Sequence, residues 1–168
     1  MAKTVCFTGH RQIPDADLPK LTALLYTAIE EQILHGATTF RAGGALGFDT
    51  QAALAVLALR RKYPQIRLEL YLPCPTQTRG WEENDRMLYT QILEQADAYR
   101  YTSTGYYQGV LQMRNREMIE GSDVCIAYLK SSHGGGTAYT VQLALKRQLE
   151  FINLQDLLEK NSNRKGND

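Results

Sequence analysis

Three short stretches of the chain could do chemistry. Residues 41–49 read Arg-Ala-Gly-Gly-Ala-Leu-Gly-Phe-Asp, a glycine-rich turn between a strand-like run (37–40) and an apolar helix-like run (50–59). Without Cβ atoms such a turn reaches positive φ and lets a ligand approach main-chain N–H groups. The helix that follows adds unpaired N–H donors and the positive end of its dipole. Together these favour an anion, usually phosphate. The spacing matches neither Walker A nor GxGxxG, so on its own the stretch reads equally well as a tight turn that binds nothing. Two further stretches repeat the placement: Gly9-His10-Arg11, and Ser-Ser-His-Gly-Gly-Gly-Thr over residues 131–137. Each follows a strand-like run. The repetition points to a site for an anionic ligand on Gly9, Gly43, Gly44, Ala45, Gly135, Gly136 and Thr137.

Several side chains nearby have both a functional and a plain reading. Asp49 opens a helix and can cap it. Alternatively it hydrogen-bonds sugar hydroxyls or acts as a base; direct contact with phosphate would be repulsive. Arg11 and Arg114 can clamp phosphate through charge-assisted hydrogen bonds, or form surface ion pairs worth ~0–1 kcal/mol. Asn115 can both donate and accept, which suits a base edge, a ribose or a loop contact. His10 can serve as an acid, a base or a phosphate donor, and with Asp49 it is the acid–base candidate of an enzyme reading; with no paired Asp or Cys near it in sequence it reads rather as a hydrogen-bond donor or a packing residue. His35 reads as a helix-dipole partner, and His133 as a neighbour of the third glycine stretch. Trp81, Tyr106 and Tyr107 lie in two loops, where aromatics stack on bases or fold onto the core. No residues have metal-ligand spacing, and no nucleophile–base triad is visible.

These stretches need a scaffold, and the remaining pattern supplies one. The chain has 168 residues and a net charge of +1, from 19 basic and 18 acidic residues. That length fits one domain. The charge excludes a strongly basic coat for nucleic acid but leaves room for a local basic stripe. Three cysteines, Cys6, Cys74 and Cys125, form no CxxC pair and read as reduced thiols of a cytoplasmic protein, with Cys74, between two prolines, exposed. No apolar run reaches the ~18 residues of a membrane span. Residues 1–3 run straight into a strand, which predicts no signal peptide.

Strand-like runs at 4–8, 37–42, 66–72, 98–102, 124–129 and 151–154 alternate with helix-like runs. Asp15 or Asp17 is placed to cap the first helix, whose Leu18, Leu21, Leu25, Ala28, Ile29 and Ile33 keep helical spacing. Residues 66–72 alternate with period two, as in a strand at the sheet edge. Residues 82–95 form a helix with Met87, Leu88, Ile92 and Leu93 as its apolar side. Helices follow over 110–120 and 138–147. Such alternation predicts an α/β, Rossmann-like fold: an open, mostly parallel sheet flanked by helices on both faces. Residues 1–155 form a single domain, and 156–168 read as a polar C-terminal tail. Ligands in such folds bind at strand C-termini, near the reversal in strand order.

The motifs also resemble the SLOG superfamily of Smf/DprA and LOG proteins. Gly43-Gly44-Ala45-x-Gly-x-Asp49-x-x-Ala52 resembles the DprA-type signature, Arg114-Asn115-Arg116 the family's RNR segment, and Gly136-Thr137-Ala138-Tyr139-Thr140 its late helix start. The YpsA-like branch is closer still. Its pattern shares the Thr8-Gly9-His10-Arg11 opening, Gln77 and Trp81, Ala96-Asp97, and Ser122-Asp123. This resemblance implies a Rossmann-like domain binding a nucleotide-derived ligand such as ADP-ribose, NAD or AMP, in the manner of a sensor. LOG-type hydrolases carry a catalytic glutamate where this chain has Thr140, which weakens the reading as an enzyme splitting an N-glycosidic or phosphoester bond. DprA-type proteins bind single-stranded DNA, so a single-stranded nucleic acid is a second candidate partner, with Arg11, Arg79, Arg114 and Arg116 at the pocket mouth. Self-association is compatible with all of these readings.

Overall fold

The computed structural model describes residues 2–130 and 135–166. Six strands and six helices alternate: β1 (Lys3–Gly9), α1 (Leu18–Leu34), β2 (Ala37–Ala42), α2 (Phe48–Lys62), β3 (Arg67–Leu72), α3 (Glu83–Gln95), β4 (Ala98–Tyr101), α4 (Val110–Ile119), β5 (Val124–Tyr128), α5 (Gly135–Lys146), β6 (Glu150–Asn153) and α6 (Leu154–Lys165). All strand pairs are parallel, in the order β4-β3-β2-β1-β5-β6. This is the Rossmann-like α/β architecture that the alternation predicts. The chain lays β1 to β4 outward in one direction, then returns to place β5 against the other side of β1. The order therefore reverses between β1 and β5.

Burial explains why the central strands have no polar alternation. Val5 and Phe7 of β1 face the larger core, and Cys6 faces the smaller one. On the larger side, α1 packs against α2 and α6, and α2 against α3. Phe7 stacks on Phe40 with centroids 6.2 Å apart and meets Phe48 edge-on at 6.4 Å. The other face is covered by α4 and α5, which pack together over Cys6, Cys125 and Ala127.

The thin cover on that second face corrects one expectation. β3 is not an edge strand; it lies between β2 and β4, and β4 forms the edge. Its alternation arises because Leu68, Leu70 and Leu72 enter the large core, while Arg67, Glu69 and Tyr71 face the side that α4 covers only in part. There the Tyr71 ring is flanked by the guanidinium groups of Arg41 and Arg100, at 5.0 and 5.2 Å from its centroid.

Other expectations shift by similar local causes. Asp17 is the residue that precedes α1, but its side chain makes no capping hydrogen bond; its carboxylate pairs instead with Lys130 at 3.3 Å. Met87 is 54% exposed, so α3 packs mainly through Ile92, with Leu88 and Leu93 at the margin. Cys74 is only 1% exposed, because the turn after β3 folds it inward. α5 begins at Gly135, three residues before the predicted start, so Gly135, Gly136 and Thr137 form its first turn. Residues 131–134, including His133, lie outside the described residues.

The expected polar tail is in fact mostly helix. α6 runs to Lys165, with the Asn153 side chain accepting from the Gln155 N–H at its start, and with Leu154 and Leu158 buried. Leu154 and Leu158, four apart, lie on one face of α6 and turn it toward the core, while its other faces are largely polar. Among the described residues, no helix is long and apolar enough to cross a membrane. Truncating the buried Leu158 to alanine should cost about 2 kcal/mol or more of unfolding free energy in a urea titration. A change within about 0.5 kcal/mol, the range of surface substitutions, would mean that α6 is not a packed part of the domain.

Candidate binding cleft

The site is built where the strand order reverses. β1 ends in Gly9, and the chain turns at His10 and Arg11 beside the C-terminal end of β5: the His10 N–H donates to the Tyr128 carbonyl at 3.3 Å. On the other flank, the Phe48 N–H at the start of α2 donates to the His10 carbonyl at 3.1 Å. The loop that leads into α2 therefore lies directly on the loop that leaves β1. Gly47 allows this contact. It has φ +78°, and a Cβ there would overlap the Arg11 carbonyl. The glycine is required by backbone-on-backbone approach rather than by a ligand.

Two buried charges shape the rest of the glycine loop. Asp49 and Arg114 are 6% and 4% exposed. The Asp49 carboxylate accepts the Ala45 N–H at 3.2 Å and so closes the loop back on its own helix. Arg114, on α4, donates to the Gly43 carbonyl and, at 3.3 Å, to the Tyr71 carbonyl at the end of β3. Its Nε donates to Asn115 Oδ1 at 2.7 Å. Gly43 is held between the two groups: a Cβ there would sit 2.8 Å from both Arg114 Nη1 and Asp49 Oδ2. Burial pushes the Asp49 carboxyl above its ordinary range, against the pull of Arg114, the Ala45 N–H and Arg11. Burial also lowers Arg114, against the attraction of Asp49; a guanidinium nevertheless stays charged at neutral pH.

Two adjoining hollows open above this framework. The inner one, about 360 Å³, is lined by Gly9, His10, Ala45, Asp49, Asn115 and the first turn of α5 at Gly136 and Thr137. The outer one, about 470 Å³, is lined by Cys74, Thr76, Gln77, Arg79, Trp81 and Tyr106. Arg11 and Leu111 border both, so the two form one cleft with a polar inner lobe and an aromatic outer lobe. Trp81 leans edge-on against Tyr89 at 5.7 Å, which fixes it on the wall, whereas Tyr106 is 70% exposed.

Most of the residues singled out in the sequence line this cleft, but not all. Gly43, Gly44, Gly135 and Arg114 are not on either wall. Arg114 supports the loop from behind, its Nε and Nη1 bonded to protein groups, rather than standing as a clamp at the mouth. Arg116 points elsewhere, donating to the Tyr139 hydroxyl at 3.1 Å. Thr140 is buried, and its hydroxyl donates to the Gly136 carbonyl at 2.9 Å within α5. Leu111, Thr8 and Thr76 are wall residues that sequence reasoning missed. Leu111 has no polar signature, and only the long return of the chain from β4 to β5 carries the start of α4 over the cleft.

A family model described as YpsA, the YspA SLOG family, matches residues 6–157. The chain therefore belongs to this SLOG family. A UPF0398 protein of Bacillus thuringiensis (strain Al Hakam) is 30% identical over 151 residues, which cover 83% of this chain and 78% of the relative. Among solved structures, DNA processing protein A from Helicobacter pylori, described for its single-stranded DNA binding mode, superposes with a TM-score of 0.59 at 23% identity. That match covers 95% of this chain and 73% of the other. DprA from Streptococcus pneumoniae gives 0.58 at 14% identity, covering 89% of this chain and 49% of that one. At these identities the two structures share the fold with this SLOG domain.

The buried charges yield a stability prediction. Arg114→Met should cost about 3 kcal/mol or more, because it strands Asp49 and the Gly43 carbonyl in the interior. Pairing it with Asp49→Leu should recover part of that loss. Chemical unfolding of the two single variants and the double variant measures the coupling; strictly additive losses would mean that the two charges do not depend on each other.

Proposed function

We propose that the cleft binds a nucleotide-derived molecule, with phosphate in the inner lobe and the base in the outer one. The observation that carries this reading is Arg11, among the described residues the one side-chain cation that borders both lobes, set between a polar cradle and an aromatic wall at the strand-order reversal. Open parallel sheets bind ligands in that crevice. The start of α5, at Gly136 and Thr137, brings the positive end of a helix dipole to the inner lobe, which favours phosphate. Asn115, whose Oδ1 is taken by Arg114, offers its amide N–H₂ as donor. Asp49 would repel phosphate and is better placed for a sugar hydroxyl. In the outer lobe, Trp81 and Tyr106 provide stacking faces, and Gln77 an amide. AMP, NAD and ADP-ribose are ligands of the right kind. The domain would act by binding, as a sensor does: the position that carries glutamate in LOG-type enzymes is the buried Thr140 here. The setting is a reducing, cytoplasmic one.

A second reading has its own support. The outer lobe is open at Tyr106 and bordered by Arg79 as well as Arg11, and the Helicobacter pylori protein with this fold binds single-stranded DNA. A strand laid along that lobe would stack on the same aromatics.

Thermal unfolding against AMP, ADP, ADP-ribose, NAD and a short single-stranded oligonucleotide separates the two. A ligand at a hundred times its Kd should stabilise by about 2.7 kcal/mol. Arg11→Ala should weaken a phosphate-bearing ligand by about tenfold or more, the scale of one charge-assisted hydrogen bond, and Trp81→Ala should weaken it through the base. Stabilisation by the oligonucleotide alone, falling steeply with salt, would favour the second reading. No stabilisation by any member would sink both.

A further inference from the structure

His10 has a role in the cleft that its motif does not convey. Its Nε2 accepts the backbone N–H of Lys130 at 2.9 Å. An N–H donor can only be received by an unprotonated ring nitrogen, so the proton of the neutral ring must sit on Nδ1. Among the described residues, Nδ1 donates to no protein group, and the half-buried ring lines the inner lobe. Lys130 is the second residue after β5, so this bond ties the exit of β1 to the exit of β5 across the strand-order reversal.

From this geometry we infer that His10 works as a neutral latch, with Nε2 holding the β5 exit and Nδ1–H offered to an acceptor atom of the ligand, and that acid releases it. The inference rests on the reading of the cleft as a ligand site. It reverses the usual expectation for histidine at an anion site, where acidification adds a positive charge and strengthens binding. Here protonation would turn Nε2 from acceptor into donor and set it against the Lys130 N–H, so the latch opens as the charge appears.

The surrounding groups agree. Lys130 places its ammonium 5.9 Å from the Tyr128 ring centroid and pairs with Asp17. Tyr128 meets the imidazole edge-on at 5.5 Å from β5. Arg11 is next in the chain, and Asp49 lines the same lobe from α2. The described first turn of α5 brings no titratable group. Burial first, and then Lys130, hold the His10 imidazolium below its ordinary range. The unfolded chain therefore takes up a proton at higher pH than the folded one. The latch's contribution to stability is fully present above the unfolded value of about 6.5 and declines as pH falls through it toward the folded value.

Imidazole ¹H–¹⁵N NMR of the free protein over about pH 5 to 8, the range in which histidine titrates, tests this without any ligand. The spectrum of His10→Gln assigns the His10 signals. The expected result is the Nδ1–H tautomer, a titration below 6.5, and a Lys130 amide signal that moves with it. His10→Gln keeps an acceptor near Nε2, so it should hold the Lys130 amide shift while abolishing its pH dependence; His10→Ala should lose both. The Nε2–H tautomer, or a Lys130 amide indifferent to His10, overturns the latch. Addition of AMP at about pH 8, where both imidazole and phosphate have finished titrating, should move the Nδ1 resonance. An AMP-stabilised protein with an unmoved Nδ1 would overturn the donor role and leave the binding reading standing. Failure of every nucleotide to stabilise would remove the binding reading, while the tautomer and the co-titration would still be decided by the ligand-free spectra.

Discussion

A guanidinium taken out of water must find its acceptors inside the protein, and the cleft depends on where Arg114 finds them. Its partners are the carbonyls of Gly43 and Tyr71 and the side chain of Asn115. Two of these are main-chain groups just past the end of β2 and at the end of β3, and the third is a wall residue of the inner lobe. One buried charge on α4 thus sets the height of the glycine loop, joins it to the sheet, and orients Asn115 so that its N–H₂ group faces away from the bond. Asp49 completes the arrangement from α2. Neither carboxylate nor guanidinium would be tolerable in the interior without the other's field and these hydrogen bonds. Gly43 lies between them because no larger residue fits.

The sheet topology decides what such a framework can surround. Laying β1 to β4 in one direction and returning to β5 leaves the ends of β1 and β5 as neighbours with divergent connections. The loop after β1 turns toward α1, the start of α5 stands on the opposite side, and α4 crosses above. The His10 main chain fills the junction twice, through its N–H to β5 and its carbonyl to the start of α2. The His10 main chain is thus locked in place by hydrogen bonds on both sides, which holds its side chain and that of Arg11 at the inner lobe. That lobe presents polar groups, and the aromatic outer lobe adds selectivity for planar groups.

Much of this was legible in the sequence. The apolar runs of β1 and β5, the period-two pattern of β3 and the helical spacing of α1 are direct consequences of burial, and they gave the fold class. Gly9, His10, Arg11, Ala45, Asp49, Gly136, Thr137 and Trp81 line the cleft because strand ends and the helix starts that follow them converge there, and Asn115 joins them from α4. What could not be read was which polar residues face inward. Arg114 looks like a surface cation until the topology puts α4 over the glycine loop. Cys74 looks exposed between its prolines until the turn closed by the Gln77 N–H on the Cys74 carbonyl buries it. Leu158 looks incidental in a polar segment until α1 is seen to offer it a surface. For Arg114 and Leu158 the deciding contacts span more than forty positions; for Cys74 the deciding feature is a local turn whose direction the flanking prolines do not encode.

The same distinction bears on what the motif means. The strongest sequence signals, Gly43-Gly44 and Arg114-Asn115, divide between structure and contact: the first three shape the loop, and only Asn115 reaches the cleft wall. A substitution in the glycine pair or in Arg114 would change the height of the loop before it changed any direct contact, so loss of binding there says little about what touches the ligand. Arg11 and Trp81 differ. Arg11 is exposed and Trp81 stands on the wall of the outer lobe, and among the described residues neither side chain hydrogen-bonds to the glycine loop. Their substitution removes a contact and leaves the framework in place, which makes them the residues whose loss reports on recognition itself.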